Sequence, residues 1–153
     1  MGIFRRIFGG GTEGAPVRPQ RLDYLNEALA LERQGDFDAA IVSYRLALRD
    51  HPADTRILQN LAIAFSRTGK LEEAIRHYRR TLDIDPAAVG AHYGLAFLLM
   101  RRGEGTNAAR HFRAFLGNPP KGPDGQQWVE HAEAALRAME ALPPPAAAGM
   151  EGV

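Results

Sequence analysis

Catalysis and metal binding need a nucleophile beside a base, or several ligands at a fixed spacing, so residues able to supply them come first. The sequence holds five His and no Cys. Without Cys there are no disulfides, Cys-ligated zinc sites, iron–sulfur clusters or thiol chemistry. The histidines form no HxxH or HExxH motif. His77 and His111 stand 34 residues apart, at equivalent places in a repeat. Imidazoles on neighbouring helices are about 10 Å apart, too far to share a metal. These histidines read as solvated surface residues. Ser, His and Asp are present, but no spacing sets a nucleophile against a base, which points away from an enzyme and implies no cofactor. Gly9 to Gly14 spells GxGxxG. Pro16 and Pro19 block the helix that must follow such a loop, and no parallel-strand unit surrounds it.

Binding is the remaining chemistry. The N-terminal Ile3, Phe4, Ile7 and Phe8 fall within one arc of a helical wheel, with Arg5 and Arg6 opposite. Such a segment suits an anionic membrane surface. It could equally plug an apolar groove of its own chain or stay disordered. Gly2 is followed by Arg6 where a myristoylation site needs Ser or Thr, so lipidation is not supported. Residues 9–20 read as a flexible Gly/Pro linker, which makes 1–20 one N-terminal unit. No apolar run reaches the roughly 18–20 residues that span a bilayer, and no signal-peptide core opens the sequence. The expected compartment is the cytoplasm, with the inner face of the cell membrane as the place where the N-terminus would act.

The elements that position everything else repeat. At an offset of 34, Pro52, Pro86 and Pro120 fall in one column, and Ala40, Ala74 and Ala108 in another. Tyr44, Tyr78 and Phe112, then Gly35, Gly69 and Gly103, then Ala28, Ala62 and Ala96 make three more. A period of this length signals a solenoid. Each unit holds two stretches of helical periodicity, as in Leu58, Leu61, Ala62, Phe65 and then Leu71, Ala74, Ile75, Tyr78, Leu82. The spacing predicts helices at 22–34, 37–49, 55–68, 71–83, 89–102 and 105–117. A seventh is predicted at 125–142, with Asp124 and Gln127 as its capping box and an apolar stripe of Trp128, Ala132, Ala135, Met139 and Leu142. A repeat array needs such a helix to cover its last apolar face.

These columns carry a resemblance. Residues 21–54, 55–88 and 89–122 resemble three tetratricopeptide repeats, most fully through Leu58, Leu61, Ala62, Phe65, Ala74, Tyr78 and Pro86 in the second. Glu27, His92 and Phe115 depart from the pattern. The resemblance implies an all-α fold, a right-handed α-solenoid of helix-turn-helix hairpins, capped by 123–142 and followed by a disordered tail at 143–153. It implies a non-enzymatic protein-interaction scaffold or adaptor. Its concave groove would be lined by Leu25, Asn26, Leu29 and Arg33, by Gln59, Asn60, Ile63 and Arg67, and by Tyr93, Phe97 and Arg101. An apolar strip with a polar rim suits a partner's peptide or amphipathic helix. Family members that grip a C-terminal carboxylate use cations and Asn at the places of Leu25, Leu29, Asn60, Gly90 and Gly94, where only Asn60 fits. The other roles the resemblance admits are a chaperone or assembly factor of a secretion or surface-appendage system, and a self-assembling scaffold.

Charge bears on partners. Nineteen Lys and Arg against eighteen Asp and Glu leave a formal net charge of +1. The segments differ: +2 for 1–20, −3, +2 and +4 for the three repeats, and −4 for 123–153. Bulk nucleic-acid binding is not expected. An acidic first repeat meeting a basic third repeat would make a head-to-tail homo-oligomer. Neutralisation of the third repeat by the acidic C-terminal region is the competing outcome.

Overall fold

The computed structural model describes residues 23–142. Seven helices follow one another there, and no strand occurs among the described residues. They are α1 (Tyr24–Arg33), α2 (Phe37–Asp50), α3 (Thr55–Arg67), α4 (Leu71–Ile84), α5 (Val89–Arg101), α6 (Gly105–Gly117) and α7 (Pro123–Glu140). Consecutive helices pack in antiparallel hairpins, and each hairpin stacks on the next through α2 against α3 and α4 against α5. The six repeat helices match the spacing-based boundaries to within two residues. The expected N-terminal segment, its linker and the tail at 143–153 lie outside the described residues.

The repeat columns explain the architecture. Gly35, Gly69 and Gly103 adopt φ of 81°, 79° and 86°, the left-handed region that a side chain disfavours. Each allows the next residue to donate back to the helix just ended: Asp36 to Leu31 O at 3.0 Å, Lys70 to Phe65 O at 2.8 Å, Glu104 to Leu99 O at 2.9 Å. This C-terminal cap fixes the hairpin turn. Asp23, Asp36 and Asp54 cap the starts of α1, α2 and α3 with their carboxylates. Ala28, Ala40, Ala62, Ala74, Ala96 and Ala108 are fully buried where the two helices of each hairpin meet. Tyr44, Tyr78 and Phe112 fill the space between hairpins.

The start of α7 differs from its capping-box expectation. The helix begins at Pro123 after Gly122, whose φ is 108°, and no side chain caps it. Proline at the first helical position is preorganised and loses no hydrogen bond. Asp124 therefore sits inside the first turn, where the helix dipole favours it. The buried stripe also differs. Gly125, Ala132 and Ala135 are buried, with Val129, Leu136 and Met139 packed against the core. Trp128 and Leu142 are 40% and 69% exposed. They lie beside the stripe because α7 is rolled toward Pro120, against which Gly125 packs.

The histidines also correct the sequence reading, since three of them are built into the packing. His77 is half-buried, with its ring 5.1 Å from that of Phe65. His92 and His111 touch through their Nδ1 atoms at 2.9 Å, and His92 Nε2 lies 2.9 Å from Pro86 O. A carbonyl only accepts, so His92 carries its proton on Nε2 and His111 Nδ1–H donates to His92 Nδ1. The hairpin of the third repeat brings α5 and α6 together here, a juxtaposition that an offset comparison of His77 with His111 does not register. No group of three or more His, Cys, Asp or Glu is placed to hold a metal among the described residues.

Candidate functional site: the concave furrow

The furrow is built from α1, α3 and α5, with Trp128 of α7 at one end. Two hollows form it. One, of about 340 Å³, is lined by Leu29, Glu32, Arg33, Phe37, Asn60, Ile63 and Arg67. The other, of about 300 Å³, is lined by Arg56, Gln59, Asn60, Ile63, Tyr78, Gly90, Tyr93 and Trp128. They share Asn60 and Ile63, which makes the furrow continuous across the three repeats. Ile63 is an exposed aliphatic residue at its middle.

Small residues open the floor. A methyl group on Gly94 would lie 2.4 Å from Tyr78 Cζ, and one on Gly90 would lie 2.9 Å from Gln59 Oε1. Glycine at both places lets α5 approach α3 and α4, so that the Tyr78 ring reaches the furrow from below. Burial pushes the Tyr78 hydroxyl up to about 12, so it stays a neutral hydrogen-bonding group. Tyr44, its counterpart one repeat earlier, donates its hydroxyl proton to Glu32. Burial, and then that carboxylate, push the Tyr44 hydroxyl still higher.

An aromatic wall closes the far end. Tyr93 stacks on Trp128 with centroids 5.7 Å apart at 28°. It also meets Phe97 at 4.9 Å and Phe115 at 5.0 Å. Phe97 in turn meets Phe112 edge-on at 4.8 Å. Aromatic pairs of this kind contribute about 0.5–1.5 kcal/mol each beyond their buried area.

The structure divides the eleven groove residues expected from the sequence. Leu29, Arg33, Gln59, Asn60, Ile63, Arg67 and Tyr93 line the furrow. Leu25 faces a separate hollow of about 570 Å³ between the start of α1 and the α2–α3 turn. The Asn26 amide donates to Asp23 Oδ2 at 2.6 Å and serves the helix cap. Phe97 is half-buried and packs against Tyr93 and Phe112 beside the two hollows. Arg101 is exposed at the end of α5, beyond both hollows. Trp128, Tyr78 and Phe37 line the furrow without having been expected there. Trp128 had a signal in its aromatic-to-small spacing with Ala132, which places it like a residue of a repeat's first helix.

A concave, continuous furrow on stacked helical hairpins defines a helical-repeat interaction protein. The tetratricopeptide-repeat family model matches residues 25–89 and 60–123, and the chain belongs to the tetratricopeptide-repeat family. Several solved structures share the fold. The type III secretion chaperone SycD of Yersinia enterocolitica, in complex with a peptide of the translocator YopD, superposes with a TM-score of 0.72 at 16% identity. That match covers 76% of this chain and 89% of SycD. PcrH, in complex with the chaperone-binding region of PopD, gives 0.70 at 18% identity over 77% and 89% of the two chains. The second tetratricopeptide domain of Spaghetti (RPAP3), bound to the HSP90 peptide SRMEEVD, gives 0.59 at 19% identity over 61% and 86%. No curated protein sequence matches the chain.

Proposed function

We propose that the chain is a non-enzymatic interaction module that holds a partner's peptide or amphipathic helix in the concave furrow. The observation that carries this reading is the continuous furrow centred on Ile63, with an apolar floor and an aromatic end wall. The hairpin packing leaves Ile63 exposed between Leu29 and Tyr93, and exposed contiguous apolar patches mark interaction sites. Backbone and side-chain recognition of this kind needs no catalytic group, in keeping with the sequence. A photo-crosslinking amino acid placed at Ile63 in the native cell should capture a discrete partner. The same probe at Val42, on the outer side of α2 and 58% exposed, should not. Equal capture at the two positions would sink the groove reading.

A narrower reading is chaperoning of an exported protein. It is supported by likeness to SycD and PcrH over about three quarters of the chain, each described in complex with a segment of a translocator. Capture at Ile63 of a protein destined for export, and its loss from the cell when the chain is absent, would support that role. Recruitment to an anionic membrane surface rests on Ile3, Phe4, Arg5, Arg6, Ile7 and Phe8. Co-sedimentation with anionic vesicles should then be stronger for the full chain than for one beginning at Arg21, and equal binding would remove the N-terminus from consideration.

A further inference from the structure

The chemistry of the partner can be narrowed by the charge along one rim of the furrow. Arg33, Arg67 and Arg101 are the last residues of α1, α3 and α5, and they recur at the 34-residue period. All three are exposed, and none forms an ion pair among the described residues. Arg33 and Arg67 line the hollow that Ile63 shares with Leu29. Arg101 extends the same row by one repeat. A cation at a helix C-terminus is favoured by the dipole, by about 0.3–1 kcal/mol. Last-turn cations also occur on α2 and α7, as Arg49 and Arg137, and are missing from α4 and α6; what sets the row apart is its recurrence at one period on one side of the furrow. The arginines recur on the three furrow-lining helices.

Carboxylates are scarce along the furrow, Glu32 being the one among its lining residues. Glu32 accepts the Tyr44 hydroxyl, and Asp54 accepts from Arg56 at 3.1 Å. The furrow therefore offers an apolar floor whose edge carries an excess of cations, Arg33 and Arg67 against Glu32, with neither arginine in an ion pair among the described residues. We infer that its occupant is a partner segment with apolar residues on one face and a row of Asp or Glu side chains along one edge, which the Arg33–Arg67–Arg101 row pairs with. Guanidinium groups suit this use because their planar forks engage carboxylates bidentately. The charge also sets this occupant apart from the chain's own N-terminal segment, whose Arg5 and Arg6 carry the same sign as the rim. The inference rests on the groove reading above.

The test is selection of a random-peptide phage library on the full chain, followed by affinity measurements with the selected peptides as synthetic free ligands. Peptides combining apolar residues with Asp or Glu should be enriched, and their binding should be lost with Ile63→Asp. It should fall as salt is raised and weaken on the order of tenfold or more in the Arg33→Glu, Arg67→Glu, Arg101→Glu variant. All three positions are exposed, so the reversals should cost only the helix-dipole contribution at each. A lowered but still cooperative melting transition, with binding measured well below it, should accompany that loss. Selection on the reversed variant should turn toward Lys and Arg. Peptides that require Ile63 yet show no acidic bias, or ignore the reversal, would overturn the inference and leave the groove standing. A library yielding no Ile63-dependent peptide would overturn both.

Discussion

Gly94 and the His92–His111 pair show how much of this solenoid depends on single atoms. Alanine is ordinarily better than glycine inside a helix by about 1 kcal/mol. At position 94 the added methyl would stand 2.4 Å from Tyr78 Cζ and 2.5 Å from its hydroxyl oxygen. The Tyr78 ring is buried on its other sides, so making room would push it into the furrow it lines. Gly94→Ala is expected to destabilise the fold by about 1–3 kcal/mol, the usual cost of overpacking. Denaturant melts would read this, and a gain in stability would show that the ring yields. The histidine pair has a pH signature. Burial, then His92, Arg110 and Arg79, pull His111 down from 6.5 to about 4. A base depressed in the fold stays neutral there while the unfolded chain takes up a proton. The stability it contributes is whole above pH 6.5, declines as pH falls, and is fully lost near pH 4. His77 is depressed in the same direction, chiefly by burial. Replacing His111 with Leu should flatten the stability–pH profile across that window, measured by denaturation at several pH values, while leaving part of the slope to His77. An unchanged profile would mean the pair bears no proton-linked stability. Neither contact was legible in the sequence, because each depends on how α5 meets its neighbours on either side rather than on spacing along a helix.

At the scale of elements, the six repeat helices were readable because one physical requirement recurs three times. Each hairpin must reverse at a left-handed residue, approach through Ala, and fill a gap with an aromatic ring. Gly35, Ala40 and Tyr44 state those needs, and their counterparts repeat them. The seventh helix has no such repetition, so its boundaries rested on local signals that competed. Asp124 suggested a cap, yet Pro123 is the better first helical residue, and Gly122 with φ of 108° turns the chain into it. The consequence reaches the site, because the roll of α7 sets Trp128 against Tyr93 instead of into the core. That roll depends on Gly125, where an added methyl would lie 2.0 Å from Pro120 O. Backbone cannot give way as a flexible side chain can. Gly125→Ala should therefore detach the start of α7 while α1–α5 hold. Hydrogen exchange would then show lost protection over α7, and Trp128 fluorescence should shift toward that of a solvated indole. Retained protection throughout α7 would refute the dependence on Gly125. Phe97 teaches the same lesson on the furrow side. Its spacing marks it as a groove residue, but it also packs against Tyr93 and Phe112, so the more exposed Ile63 is the cleaner position for disrupting the groove.

For the whole molecule, the charge pattern poses a choice between assembly and internal neutralisation. The first repeat is acidic at −3, the third is basic at +4, and residues 123–153 bring −4. A head-to-tail contact would need the third repeat's cations free to meet another copy. The structure engages two of them within one chain: Arg113 reaches Glu140 at 3.3 Å, and Arg102 meets both Glu72 and Glu104. Exposed pairs of this kind are worth only about 0–1 kcal/mol each, so they do not hold the fold together. Their effect is to offset the field that would draw copies together, with no loss of translational freedom. The furrow's rim differs, since Arg33 and Arg67 in the first two repeats and Arg101 in the third form no ion pair among the described residues. Sedimentation velocity at micromolar concentration should accordingly find a monomer at both low and high salt. Addition of an acidic furrow peptide should then produce a one-to-one complex that salt dissociates. A mass that rises with concentration at low salt, and falls back at high salt, would instead show that the basic and acidic ends meet between molecules.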